Sequence, residues 1–249
     1  EMQRSLVGSE MCIRDSYIKL EKKQILRDSY HQITTKQNAD KKLTSEQMTA
    51  LKNIEIAQHQ GKQKFLLYGV TGSGKTQIYI EMALKARALG KQILILVPEI
   101  VLTGQLVTSF KEYFADDVAV IHSRLSIGER NDTFWRIRTK QVSIIIGARS
   151  ALFAPFEDLG LIVMDEEHDP SYKQDESPRY HSHDIIEKMA EIYHATLIMG
   201  SATPSLESYY KAQIGEYVLL KMPNRIDNLP LPYIEGVDMR EELRMGNRK

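Results

Sequence analysis

One stretch of this sequence has the residue types and spacing needed to hold a phosphate chain. Residues Gly69-Val-Thr-Gly-Ser-Gly-Lys-Thr76 match the pattern G-x-x-x-x-G-K-[ST]. The apolar run 64–68 before it predicts a buried strand, and apolar residues at helical spacing follow it as far as Leu89. In a strand, Gly-rich turn and helix, backbone N–H groups converge on phosphate oxygens at a positive helix terminus. The sequence therefore predicts a nucleoside triphosphate site.

The roles within this loop follow from the chemistry of its side chains. We expect Lys75 to reach the β- and γ-phosphates and the Thr76 hydroxyl to hold Mg²⁺. Glycine lets the backbone come closer to the anion than a residue with a β-carbon would allow. The other residues expected to bind the nucleotide are Gly69, Thr71, Gly72, Ser73 and Gly74.

A second candidate site follows the apolar run 161–164, where the chain continues Asp165-Glu-Glu-His168. Mg²⁺ takes one or two carboxylates together with phosphate oxygens and waters. A carboxylate at the end of a strand beside the phosphate-loop strand can meet that ion, so we expect Asp165 to hold Mg²⁺ through water. Glu166 is then placed to act as the general base for the attacking water. The alternative is a solvated strand end, which the phosphate loop makes the weaker interpretation.

Polar residues also follow the apolar run 195–199, in Gly200-Ser-Ala-Thr-Pro-Ser205. The hydroxyls of Ser201 and Thr203 are candidates to sense the γ-phosphate, whereas Thr203 before Pro204 also predicts a helix N-cap. His168 either couples the nucleotide to another surface or is an ordinary hydrogen-bonded neighbour. His181 and His183 have no further ligands at metal spacing, so we predict no zinc site there.

From residue 43 to 222, strands and helices alternate, and the strands are unalternated runs of Ile, Leu and Val. Such strands are typical of a parallel sheet covered on both faces, which predicts an α/β fold with a doubly wound, mostly parallel sheet. Thr44 and Gln47 predict a capping box at the first helix. We interpret 1–16 as a non-native, adaptor-derived segment, 17–42 as the remnant of a preceding domain with a linker, and 223–249 as a connector to a further lobe.

Composition excludes several classes of protein. The 249 residues carry 33 basic and 33 acidic side chains, so any nucleic-acid footprint must be local. No run of apolar residues is long enough for a membrane helix. The single cysteine, Cys12, excludes an internal disulfide framework and a cysteine zinc site, and it favours a cytoplasmic location.

These motifs, in this order, resemble the first motor lobe of superfamily-2 helicases. The resemblance is more specific to the primosomal protein N′ (PriA) family of replication-restart helicases and covers about residues 17–245. It depends on Val97-Pro-Glu-Ile100, on His122-Ser123, on Gly147-Ala-Arg-Ser-Ala-Leu-Phe-Ala-Pro155, and on the segments 165–180 and 200–208. Family members commonly carry threonine where Ala148 stands and glycine where Arg124 stands; neither change removes a phosphate ligand.

The resemblance implies a RecA-like P-loop lobe of a 3′→5′ DNA helicase that uses ATP and Mg²⁺. It implies that Gln47 reads the adenine and that the segment 169–180 is an aromatic-rich loop coupling DNA to ATP hydrolysis. The residues implied to contact DNA or to couple it are His122, Arg124, Arg149, Tyr172, Lys173, Gln174, Arg179 and Tyr180. Aromatic residues between Lys and Arg do suit base stacking, although an ordinary surface loop has the same composition.

The family further implies forked or single-stranded DNA, other primosome and replication-restart proteins, and single-stranded DNA-binding protein as partners. Its zinc insertion and its second motor lobe, with the arginine finger, have no counterpart in this sequence. The alternative function is therefore a nucleotide-dependent DNA-binding module with little turnover, since a missing arginine finger costs about 10³–10⁵ in rate. A small-molecule kinase would share the phosphate loop but would leave 165–168 and 201–203 unexplained.

Overall fold

The computed structural model describes residues 42–99 and 105–226. The segment 1–16, most of the segment 17–42 and nearly all of the segment 223–249 lie outside the described residues. The helices within these ranges are α1 Ser45–His59, α2 Lys75–Ala88, α3 Gln105–Phe114, α4 Ile127–Arg138, α5 Ser182–Tyr193 and α6 Leu206–Gln213. The strands are β1 Lys64–Gly69, β2 Gln92–Leu96, β3 Val118–Ile121, β4 Ile144–Gly147, β5 Leu159–Asp165, β6 Lys173–Gln174, β7 Tyr180–His181, β8 Thr196–Ser201 and β9 Val218–Met222.

Seven of these strands form one sheet in the order β3-β4-β2-β5-β8-β1-β9, and every pair in it is parallel. This confirms the predicted doubly wound α/β fold. Because parallel strands all point the same way, the residues that follow β1, β3, β4, β5 and β8 meet at one edge of the sheet. The phosphate loop, Asp165 and Ser201 are thereby brought to a common edge.

The sheet is buried on both faces, which explains why its strands do not alternate apolar and polar residues. Along β2, Ile93 and Ile95 pack with α1, α2 and α3, whereas Leu94 and Leu96 pack with α4, α5 and the turn between β4 and β5. All four of these side chains are fully buried. Successive side chains of a strand point to opposite faces, so each strand contributes to two cores.

Of the two predicted helix N-caps, one is confirmed and the other is wrong. Thr44 caps α1 in the predicted capping box: its Oγ1 accepts from Gln47 N, and Gln47 Oε1 accepts from Thr44 N. The prediction that Thr203 caps the next helix is wrong, because α6 begins at Leu206 with Ser205 as its N-cap. Ser205 Oγ accepts from Ser208 N at 3.2 Å, a bond that Thr203 is too far along the chain to make.

The aromatic-rich segment after β5 is more ordered than the loop expected from its sequence. β6 and β7 pair antiparallel and form a two-stranded ribbon, with Lys173 opposite His181 and Gln174 opposite Tyr180. The ribbon leads directly into α5. No helix in the described part of the chain is both long and apolar enough to cross a membrane.

Candidate functional site

A cleft of about 660 Å³ lies at the edge of the sheet where the strands end. The phosphate loop and the first turn of α2 form one side of it, and Asp165 and Glu166 lie in the same cleft. Thr71, Gly72, Gly74, Lys75 and Thr76 line it, as the sequence predicts for residues that bind a triphosphate.

The phosphate loop has a backbone that only glycine adopts easily. Gly72 and Gly74 have φ values of +80° and +85°. A β-carbon at Gly74 would lie 2.3 Å from Gln47 Nε2 and 2.9 Å from Ile226 Cδ1, so there is no room for one. Lys75 is 8% exposed, and its Nζ donates to the Gly69 carbonyl oxygen at 2.9 Å, which holds the amine within the loop.

Ser73 contributes to the loop in a different way from its neighbours. Its side chain is buried and does not line the cleft, and its Oγ has no hydrogen-bond partner among the described residues. A β-carbon added at Gly69 would lie 2.6 Å from this Oγ, so the hydroxyl faces the end of β1. In this arrangement the Ser73 hydroxyl does not contribute to the lining of the cleft.

Asp165 ends β5 and is held by a residue that the sequence did not single out. It is 9% exposed, and its Oδ1 accepts from the Tyr79 hydroxyl at 2.8 Å. Burial raises the pKa of Asp165 above its ordinary value, the Tyr79 bond opposes this, and the Glu166 charge adds to it. Burial likewise raises the pKa of Tyr79 well above its usual range, so its hydroxyl stays a donor. Tyr79 therefore orients the carboxylate that is expected to hold Mg²⁺.

Glu166 reaches the cleft through an unusual backbone conformation. Its φ is +46°, in the left-handed region that non-glycine residues rarely adopt. The side chain is 33% exposed and lines the cleft beside Asp165. Strain of this kind is found where the surrounding structure imposes it, often at catalytic sites. The geometry suits a general base that must face a water molecule.

His168 connects the acidic strand end to the turn after β8. Its Nδ1 lies 2.8 Å from Ser201 Oγ and its Nε2 lies 3.4 Å from Thr203 Oγ1. Ser201 is fully buried, and its Oγ also accepts from Thr203 N at 3.0 Å. Glu166 Oε2 is 3.7 Å from His168 Nδ1, so His168 lies between the expected base and the hydroxyls of Ser201 and Thr203. The structure brings these predicted residues together.

Gln47 lies behind the phosphate loop rather than in the cleft. It is 3% exposed; its Oε1 accepts from Thr44 N at 2.8 Å and its Nε2 donates to Gly74 O at 3.2 Å. An amide has one more acceptor site and one more donor than these bonds use. In this structure Gln47 connects α1 to Gly74 through this hydrogen bond. That Gln47 recognises the adenine stays a prediction.

The lining of the cleft also includes residues that the sequence did not reveal. Ser109 and Tyr113 of α3 line the cleft together with Ile80 of α2. Ile226, just past β9, closes another part of it, and its backbone N–H donates to Gly72 O at 3.0 Å. α3 and Ile226 lie far along the chain from the phosphate loop, so no spacing pattern around the loop could have marked their residues.

Two of the residues expected to face DNA follow β3 and β4 at the same edge of the sheet. His122 is half-buried, and its pKa is lowered by burial and then by the nearby Arg124 charge. Arg149 donates through Nη1 to the carbonyl oxygen of Lys173, the first ribbon residue. Arg149 therefore joins the end of β4 to the ribbon and keeps further N–H donors for a phosphate.

The ribbon divides the aromatic-rich segment into a buried base and an exposed tip. Lys173 and Arg179 are exposed, and Tyr180 packs edge-on against Phe153 with ring centroids 5.5 Å apart. Tyr172 is 1% exposed, so the expectation that it contacts DNA is wrong for this structure. Its hydroxyl instead donates to the Asp165 carbonyl oxygen at 2.6 Å, because its ring belongs to the core beneath the ribbon.

Comparison with known proteins decides the family. The family model described as DEAD/DEAH box helicase matches residues 44–212. The chain belongs to the DEAD/DEAH box helicase family. This matched range contains the phosphate loop, the acidic strand end and the turn at Ser201, so the helicase motifs coincide with the cleft described above.

Curated relatives of this helicase-family chain include replication restart proteins PriA from several bacteria. It is 47% identical over 237 residues to the replication restart protein PriA of Bacillus subtilis, covering 95% of this chain and 29% of that protein. It is 46% identical over 191 residues to the protein of the same name from Haemophilus influenzae, covering 77% of this chain and 26% of that protein. The chain thus spans less than a third of the length of these relatives.

Solved structures show the same fold at lower identity. RecG bound to a three-way DNA junction matches with a TM-score of 0.57 at 22% identity, over 83% of this chain and 27% of that one. The helicase MrfA bound to DNA matches with a TM-score of 0.52 at 20% identity, over 74% of this chain and 26% of that one. Both similarities concern the fold of a helicase motor lobe.

The cleft fits ATP with Mg²⁺, the pair that this helicase family uses. Glycines with positive φ leave space where a β-carbon would stand, and Lys75, Thr76 and Asp165 line the cleft with one amine, one hydroxyl and one carboxylate. Within the two described ranges, no three His, Cys, Asp or Glu residues group as a metal site. Two protein oxygens suit Mg²⁺, which takes its other ligands from phosphate and water.

Proposed function

We propose that this chain is the ATP-binding lobe of an ATP-dependent DNA helicase that acts in replication restart. One observation carries the proposal: Lys75, Thr76, Asp165 and Glu166 line a single cleft at the carboxyl edge of the sheet. A small-molecule kinase needs the first of these groups but not the hydrogen-bonded link from His168 to Ser201 and Thr203. The shared name of the relatives supports replication restart in particular.

In this proposal each residue of the cleft has one task. Bound Mg-ATP would supply the γ-phosphoryl group that is transferred to water, with ADP as the leaving group, and the metal would supply positive charge beside it. Lys75 leaves the Gly69 carbonyl to hold the β- and γ-phosphates, and Thr76 and Asp165 orient the metal. Glu166 accepts the proton of the attacking water. His168 passes the resulting change to Ser201 and Thr203 through bonds already present.

The DNA side of the proposal depends on basic groups at the same edge of the sheet. In this proposal Lys173 in β6, Arg179 just before β7 and Arg149 at the base of the ribbon hold the phosphates of forked or single-stranded DNA. Tyr180, whose ring is half-buried, is the candidate for base stacking. We further propose that other primosome and replication-restart proteins and single-stranded DNA-binding protein act with this protein in the cytoplasm, as the resemblance of its sequence to the PriA family implies.

The test measures Mg-ATP binding and hydrolysis by the 249-residue chain, with and without forked DNA. We expect Lys75→Ala to weaken Mg-ATP binding by at least about tenfold, since a hydrogen bond to a charged group is worth about 1.5–3 kcal/mol. Glu166→Gln should keep binding and lose about 10²–10⁴ in turnover, as expected when a general base is removed.

A surface ion pair provides matched controls for both variants. Lys85 and Glu55 face each other between α2 and α1, and both side chains are about half exposed. Lys85→Ala and Glu55→Gln should therefore leave nucleotide binding and turnover unchanged. Undiminished Mg-ATP binding by Lys75→Ala would refute the site. DNA-independent binding with no turnover in the parent chain would favour the alternative of a binding module.

A further inference from the structure

Glu167 is a buried carboxylate that the chemistry of the cleft does not use. Asp165 and Glu166 line the cleft, whereas the Glu167 side chain is 0% exposed and points into the protein. Burying a carboxylate is costly unless hydrogen bonds and charge compensate it. The partners of Glu167 therefore show which parts of the fold it holds together.

Three of its hydrogen bonds come from the start of α6. Glu167 Oε1 accepts from Ser205 N at 2.7 Å, and Oε2 accepts from Ser205 Oγ at 3.0 Å and from Ser208 Oγ at 2.9 Å. Ser205 is also the N-cap of α6. A carboxylate at a helix N-terminus is favoured by the free N–H groups there. Glu167, which directly follows the expected base Glu166, therefore holds the first turn of α6.

The fourth hydrogen bond leads to the ribbon. His183 Nε2, in the first turn of α5, lies 3.0 Å from Glu167 Oε2. The other ring nitrogen of His183 lies 3.0 Å from Nδ1 of His181, the last residue of β7. His181 in turn stands opposite Lys173 in the ribbon. A continuous set of contacts therefore runs from the ribbon through two histidines to Glu167.

Tyr172 makes a second connection between the ribbon and the same strand end. Its hydroxyl donates to Asp165 O at 2.6 Å, and its own carbonyl oxygen accepts from Ser182 Oγ at 2.7 Å. Glu166 is thereby held between two anchored neighbours, Asp165 and Glu167. A φ of +46° is unfavourable for a residue other than glycine. The hydrogen bonds of Asp165 and Glu167 therefore hold the Glu166 backbone in this conformation and set the direction of its side chain.

We propose that Glu167 and His183 form a positioning joint that transmits the position of the ribbon to Glu166 and to the first turn of α6. The proposal rests on the proposed function, in which the ribbon holds DNA and Glu166 faces the nucleotide. Neither residue touches a ligand. Displacement of β7 moves His183, His183 moves Glu167, and the adjacent Glu166 changes its direction. The joint therefore couples the two ligands although neither Glu167 nor His183 lines the cleft.

Coupling of this kind is measurable without turnover, because two linked ligands change each other's affinity by the same factor. The experiment titrates the 249-residue chain with a fluorescent ATP analogue and Mg²⁺, with and without a saturating single-stranded oligonucleotide. The variants are His183→Ala, which removes the donor to Glu167, and His183→Gln, whose amide can still donate. Glu187→Gln is the matched control, since Glu187 lies on the same helix and accepts from Lys211 at 2.5 Å, away from the ribbon.

In the parent chain we expect DNA to change the nucleotide affinity by about 5- to 150-fold, the usual range of such coupling. His183→Ala should reduce this factor to about twofold or less, with the affinity for each ligand alone unchanged within about threefold. His183→Gln should restore most of the factor, and Glu187→Gln should retain it in full.

Each contrary result has a distinct meaning. Undiminished coupling in His183→Ala overturns the joint, and so does an equal loss in Glu187→Gln, which would indicate general loosening of α5. A parent chain that binds both ligands independently overturns the joint and leaves the proposed function standing. A parent chain that binds no nucleotide overturns the proposed function, and the joint with it.

Discussion

Gly200 and Tyr79 approach each other so closely that a single methyl group should disturb the metal side of the cleft. A β-carbon at Gly200 would lie 1.7 Å from the Tyr79 hydroxyl oxygen and 2.9 Å from Cζ. Tyr79 is fully buried, and this hydroxyl is the donor to Asp165. To reach the 3.0 Å that real β-carbons respect, the hydroxyl must move by about 1.3 Å. Gly200→Ala thus acts on Asp165 through Tyr79.

The magnitudes follow from overpacking and from the lost hydrogen bond. Forcing a methyl group into a packed core costs about 1–3 kcal/mol, and losing a hydrogen bond to a charged acceptor costs about 1.5–3 kcal/mol. We expect Gly200→Ala to lower the free energy of unfolding by about 3–5 kcal/mol. Tyr79→Phe alone should lower it by about 1.5–3 kcal/mol. The double variant should lose at least about 1.5–3 kcal/mol less than the sum, because both single variants lose the same hydrogen bond and the clashing oxygen is then absent.

The assay is urea unfolding of the parent chain, both single variants and the double variant. Denaturation midpoints with a common slope give the four free energies, and nucleotide titration at several Mg²⁺ concentrations reports on Asp165. Free energies that add within about 0.5 kcal/mol would refute the reasoning, since they would show that the methyl group and the hydroxyl do not compete for space. An unchanged stability of Gly200→Ala would refute it as well.

Two further predictions concern the phosphate loop and α5. Gly74→Ala should abolish nucleotide binding in the titration above, because φ is +85° and the β-carbon would lie 2.3 Å from Gln47 Nε2. Gly61→Ala is the control, since Gly61 also has a positive φ, +78°, but has open space around the added β-carbon. It should lower the stability and leave nucleotide binding intact. Burial raises the pKa of Glu187, but its hydrogen bonds to Lys211 and Tyr217 outweigh it and leave the pKa below its ordinary value. A carboxylate whose pKa is lowered on folding stabilises the folded state at pH values above its unfolded pKa, which is about 4.3 for Glu. Glu187→Gln should therefore lower the free energy of unfolding by about 1–3 kcal/mol at pH 7 and by progressively less as the pH falls below about 4. Urea unfolding at several pH values measures this, and a difference that is independent of pH would contradict it.

The sequence by itself determined the elements and the chemistry that is local to them. Apolar runs without alternation predict buried parallel strands, the capping box at Thr44 marks the start of α1, and the phosphate loop is a short segment whose geometry depends on its own glycines. Such features depend on interactions between residues a few positions apart. For the same reason Asp165 and Ser201 could be placed at strand ends, and a parallel sheet then brings those ends to one edge.

Only the tertiary structure decided which side chains meet across that edge. Tyr79 bonds Asp165 from 86 positions away, and Glu167 is satisfied by Ser205 and Ser208 rather than by solvent. The sequence predicts Tyr172 as an exposed aromatic residue of a basic loop, yet its side chain is buried under the ribbon. Burial and hydrogen-bond partners arise from packing between distant segments, and no local pattern encodes them.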